Sequence, residues 1–219
     1  MASVPSSSPS ATHSYWFETS LEPQSTTDVG EDEIRNLARQ VAPNVKTKRA
    51  VTGDRTDGPI VPHVTLLYVG ANLTDRRPLI DPTRLVEAAR DVGLGGVNIR
   101  GDGGSLGALG RPNDDNDAYI AWNIDVPSDT VSEIDRKCQA LWHTLRDEQN
   151  IADLADRFPF KPHLSIWQFH SCKDRDDHLA FLGGNDAMTE VLRHRTFTFG
   201  KVRLAMRDCS TKSISYMDV

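Results

Sequence analysis

Two short stretches of this 219-residue chain hold the residues best suited to chemistry. Residues 62–68 read "PHVTLLY" and residues 162–168 read "PHLSIWQ". In each, a histidine follows a proline, a hydroxyl residue comes two positions later, and an apolar run continues. A free imidazole titrates near neutrality, so one of a pair can accept a proton while the other gives one. The hydroxyls of Thr65 and Ser165 can donate to phosphoryl oxygens and offset charge that develops there. A base, an acid and two such donors suit cleavage of a phosphodiester without a metal, above all a cyclic one or one beside a 2'-hydroxyl.

Strand alternation puts His63, Thr65 and Leu67 on one face and His163, Ser165 and Trp167 on another. On that basis His63, His163, Thr65 and Ser165 are the candidate catalytic residues. Trp167, Tyr68, Lys161 and Trp16 are candidate substrate contacts: Trp167 by stacking on a base, Lys161 as a point charge for phosphate. Core packing is an equal account of Trp167 and the plainer one of Trp16, and solvent exposure is the plainer account of Tyr68 and Lys161. His170 and His178 lack the spacing of a metal motif, and the glycine-rich residues 100–110 contain neither a dinucleotide nor a P-loop signature. No metal or cofactor is expected.

The elements that must position these residues alternate along the chain. Residues 13–21 read as an aromatic strand. Residues 25–43 read as a helix with acidic residues early and Ile34, Leu37, Ala38 and Val41 at helical spacing. Asp81, Pro82 and Gly93 bracket a second helix. Residues 118–127 read as a strand, and Ser128 is expected to cap a helix with the stripe Val131, Ile134, Cys138, Leu141, Trp142 and Leu145. A helix broken at Gly183–Gly184 and a closing strand or hairpin follow. Strand, helix, histidine strand and helix thus occur twice. The expected fold is α+β: a bilobal, pseudo-twofold duplication, each lobe an antiparallel or mixed sheet with helices outside and the cleft between lobes. Residues 1–14, rich in Ser and Pro, are expected to be disordered, leaving 15–219 as one bilobal domain.

The two motifs resemble those of the two-histidine phosphoesterase superfamily, the LigT-like and eukaryotic cyclic-phosphodiesterase group. "SYWFETSLEP" stands where that branch begins its fold. The resemblance implies that His63 and His163 form the acid–base pair and that Thr65 and Ser165 hold phosphate. It implies substrates such as 2',3'-cyclic nucleotides, ADP-ribose cyclic phosphate or RNA ends. A 2'-5' oligoadenylate phosphodiesterase, or an idle nucleotide-binding module on the same fold, are the alternatives. Longer segments at 44–58 and 93–110 depart from compact members of that group.

Composition narrows the partners. The formal net charge is -6, which argues against gripping duplex nucleic acid and for a small nucleotide or a chain end. Three dispersed cysteines outline neither a disulfide framework nor a zinc site. No signal-like N-terminus and no apolar stretch of membrane-spanning length is present. A cytoplasmic monomer is the expectation.

Overall fold

The computed structural model describes residues 11–41, 46–52, 60–73, 81–111, 113–148, 157–183 and 187–219. The chain runs β1 (Ala11–Ser20), α1 (Glu31–Val41), β2 (Arg49–Ala50), β3 (His63–Leu73), α2 (Pro82–Asp91), β4 (Arg100–Asp102), β5 (Gly104–Leu109), β6 (Tyr119–Ile124), α3 (Ser128–His143), β7 (His163–Gln168), α4 (Cys172–Gly183), α5 (Ala187–Leu192), β8 (Thr196–Thr198), β9 (Arg203–Asp208) and β10 (Ile214–Asp218). The architecture is α+β. One four-stranded sheet has the order β10-β9-β1-β3, a second the order β2-β7-β6-β5, and β4 pairs with β8. Every one of these strand ladders is antiparallel.

The helices form where the pattern demands. In α1, Glu31, Asp32 and Glu33 occupy the first turn, where the helix dipole favours negative charge. Its buried face is Ile34, Leu37, Ala38 and Val41. Asp81 caps α2 through the Thr83 N–H at 2.9 Å, and Pro82 costs nothing at the first position. In α3 the buried face is Ile134, Cys138 and Leu141. Pro127, not Ser128, precedes that helix, and Ser128 is its first residue.

Residues 1–10 of the Ser/Pro-rich segment lie outside the described residues, but Ala11 to Ser14 do not follow the expectation of disorder. They extend β1, because β3 continues past its apolar run and supplies partners as far as Leu73, while β9 covers the other edge of β1 from His13. Parts of the polar segment at 44–58, expected as a loop or a weak strand, and part of the expected break at Gly183–Gly184 also fall outside the described residues. Among the described residues no helix is long and apolar enough to cross a membrane.

Candidate functional site

Both histidine strands begin in the same way. His63 Nδ1 lies 2.7 Å from the Val61 carbonyl, and His163 Nδ1 lies 2.7 Å from the Lys161 carbonyl. A neutral imidazole meeting a carbonyl there must donate from Nδ1. That leaves Nε2 of each ring as the nitrogen able to exchange a proton. The prolines explain the shared geometry. Pro62 and Pro162 have fixed φ and hold the preceding residue in extended conformation, so the carbonyl two residues before each histidine is set in place.

The strands then bulge at equivalent positions. In β3, Thr65 pairs with Glu18 and Leu67 with Phe17, so Leu66 is an extra residue. In β7, Ser165 pairs with Ala121 and Trp167 with Ile120, so Ile166 is extra. A bulge leaves one residue outside the ladder and reverses the alternation beyond it. Each surplus carbonyl finds a donor: the Cys138 thiol reaches Leu66 O at 3.4 Å, and the Val51 N–H reaches Ile166 O at 3.0 Å. Burial pushes the Cys138 thiol up to about 12, so it stays a neutral donor.

The bulges correct the expected faces. Leu67 and Trp167 do not share the side of the histidines; they turn into the core, Trp167 at 1 % exposure against His178. Trp167 is therefore not a substrate contact. Tyr68 and Gln168 take the vacated side. Tyr68 is 46 % exposed there, opposite Trp16. Lys161 is exposed, and its charge reaches His163. His178 sits among the rings of Trp167, Phe169 and Phe181.

Sequence reasoning missed the carboxylate beside His63. Glu18, two residues before the end of β1, is 1 % exposed. Its Oε1 accepts from Arg203 Nε at 3.1 Å and Nη2 at 2.8 Å; its Oε2 accepts from Trp16 Nε1 at 2.5 Å and lies 3.5 Å from His63 Nε2. The Arg203 guanidinium stacks 3.8 Å over the Tyr216 ring. A carboxylate inside an aromatic strand was the available signal, since Glu is depleted in strands and a buried one needs a cation. Trp16 thus reaches the site, its ring 6.4 Å from that of His63.

The two sheets meet where β3 lies against β7. Burial holds the His163 pKa below the usual range; the carbonyl of Lys161 opposes this, and the charges of His63 and Lys161 lower it further. The two histidines are thus within electrostatic reach of each other. With Nδ1–H committed to Lys161, a neutral His163 presents a lone pair at Nε2. Protonated, His63 has an ion-pair partner in Glu18.

A separate recess of about 500 Å³ is lined in part by Glu22, Asp28, Asn98, Arg100 and Lys201. Its Asp28 carboxylate is saturated by the Gln24 N–H and the Ser25 and Thr198 hydroxyls, a structural arrangement.

No family model and no curated protein matches the sequence. Among solved structures, the chain is similar to Kluyveromyces marxianus Usb1, with 11 % identity and a TM-score of 0.48 over 96 % of this chain and 99 % of that one. It is similar to E. coli LigT complexed with phosphate, with 11 % identity and a TM-score of 0.45 over 96 % of each chain. TT0787 of Thermus thermophilus shows 15 % identity and a TM-score of 0.48 over 94 % of each. These are likenesses of layout, and the roles of residues rest on this chain's own geometry.

Proposed function

We propose that the protein is a metal-independent phosphodiesterase that hydrolyses 2',3'-cyclic phosphates of nucleotides or related small nucleotides. The observation that carries this reading is the matched tethering of two histidines, each fixed through Nδ1 with Nε2 left to work, on strands that touch. Thr65 and Ser165 follow them on the same faces, about 7 Å further along each strand, and would hold the phosphoryl oxygens.

The surroundings assign the two roles. His163, kept neutral by burial, takes the proton of water as the water oxygen bonds to phosphorus. His63, with Glu18 as counter-ion when protonated, delivers its proton to the ribose oxygen as the P–O bond to that oxygen breaks. The products are a nucleoside monophosphate, a protonated His163 and a neutral His63, and exchange with solvent restores both rings.

The test is turnover of 2',3'-cyclic AMP in the presence of EDTA, with products resolved by chromatography. The expected result is monophosphate, reduced about 10²–10⁴-fold by His63→Ala and by His163→Ala separately. Undiminished activity in both single variants would end this reading. Binding without turnover by the parent protein would replace it with the idle module.

A further inference from the structure

The face that bears the histidines continues past Thr65 and Ser165. Register places Gln168 beside Tyr119, and Arg49 beside Gln168, on the second sheet. On the first sheet Arg207 lies beside Ser14, four residues along β9 from Arg203 and on the same side. The two arginines of β9 differ in their commitments. Arg203 is neutralised by Glu18 and stacked on Tyr216. Arg207 forms no ion pair among the described residues.

Arg49 and Arg207 come from opposite sheets, and the charges of both act on the Tyr119 hydroxyl. Asp117 is the acidic group that also reaches it, and its Oδ2 is occupied by the Arg111 N–H at 3.0 Å. Asp208, next to Arg207, is held by its own turn through the Ser210 and Thr211 N–H groups. Two guanidiniums and a phenol form a donor set suited to the oxygens of a phosphate. In a chain of net charge -6, such a concentration of arginine on one face stands against the general balance.

We infer that Arg49, Tyr119 and Arg207 form a second anion subsite on the face of the histidines, which takes the 5'-phosphate of a nucleotide whose cyclic phosphate lies at His63 and His163. The inference rests on the phosphodiesterase reading above. Ser165 and Gln168 are three residues apart, so the two subsites are separated by up to about 10 Å along the strand. Trp16 and Tyr68 pair with each other on the histidine-bearing face of the first sheet, and their aromatic surfaces suit a nucleoside.

The experiment compares kcat/KM, with EDTA present, for adenosine 2',3'-cyclic phosphate with and without a 5'-phosphate. The unaltered protein should prefer the 5'-phosphorylated substrate about tenfold or more, through KM, as one or two charge-assisted hydrogen bonds allow. Arg207→Gln and Arg49→Gln should each bring that ratio toward unity. A ratio is insensitive to the fraction of a variant that folds. Equal use of both substrates by the unaltered protein would overturn the subsite and leave the phosphodiesterase standing. A preference undiminished in both variants would overturn its assignment to these residues. A dinucleotide ending in the same cyclic phosphate carries the second phosphate as a diester. Preference for it over the 5'-monophosphate identifies a strand end as the source, and the reverse a free nucleotide; each upholds the subsite. If no substrate is turned over, the parent reading fails. Calorimetry with adenosine 3',5'-bisphosphate against 3'-AMP then decides the subsite, which falls if the bisphosphate binds no tighter.

Discussion

Replacing Glu18 by Gln tests the least legible part of the site. The substitution keeps the shape and removes the charge. Glu18 faces donors on both oxygens, Arg203 on one and Trp16 on the other. A carboxamide has one acceptor oxygen and one NH2 group, so in either orientation its NH2 meets a donor. One charge-assisted bond, worth about 1.5–3 kcal/mol, is therefore lost. Arg203 is also left without its counter-ion. Removing one partner of a buried pair costs about 3–5 kcal/mol, but the Arg203 side chain is 24 % exposed and keeps its stack on Tyr216. That places the expected loss at about 2–3 kcal/mol. Urea denaturation at pH 7, followed by tryptophan fluorescence, measures it directly. The same variant should lose about tenfold or more in kcat, since His63 loses its ion-pair partner and Trp16 its anchor. Glu18→Gln at parental stability, within about 0.5 kcal/mol, would refute the account of Glu18 as a buried, paired carboxylate.

Three further outcomes follow from the same geometry. His163 has its folded-state pKa depressed, chiefly by burial. It therefore adds stability above its unfolded value of about 6.5, stability that is lost as pH falls through the folded value; His163→Gln should flatten the loss of stability below pH ~6.5 in a denaturation series. Cys138→Val removes the thiol donor to Leu66 O and should destabilise by about 1–3 kcal/mol, read from the same urea curves, with Cys138→Ser recovering part of the loss. Trp167→Ala should cost about 3–5 kcal/mol by cavity formation, whereas Trp16→Ala should act mainly on KM; the reverse pattern in paired stability and kinetic measurements would contradict the faces assigned to them.

Much of the layout could be read directly from residue patterns. The α1 stripe, the Asp81-Pro82 start of α2 and the paired histidine strands each follow from local periodicity and capping. What could not be read depends on partners distant in sequence. Nothing in "LLY" or "IWQ" distinguishes the surplus Leu66 or Ile166 from its neighbours. The bulges are fixed by the register of β1 and β6 and by donors from α3 and from Val51. A single skipped residue was enough to send Trp167 into the core and bring Gln168 to the site. β2 was legible only as the weak-strand alternative to a loop in its polar segment, because two residues carry no period and Arg49 and Ala50 pair with β7.

The same register explains how two nearly identical motifs can act oppositely. Locally, His63 and His163 have the same proline, the same carbonyl tether and the same bulge three residues later. The difference lies one strand away. Thr65 is paired with Glu18 on β1, and Ser165 is paired with Ala121 on β6. At the corresponding place one histidine has a buried carboxylate and the other a buried methyl group. The β9 neighbour of Glu18 is Arg203, and the β5 neighbour of Ala121 is Gly107. Among the described residues a carboxylate paired with an arginine therefore stands on one side only, where Glu18 accepts from Arg203. A protonated ring finds its counter-ion at His63, while at His163 burial works against the charge. In the proposed reaction the direction of proton flow, from water to His163 and from His63 to the leaving oxygen, would thus come from the supporting strands and not from the motifs themselves.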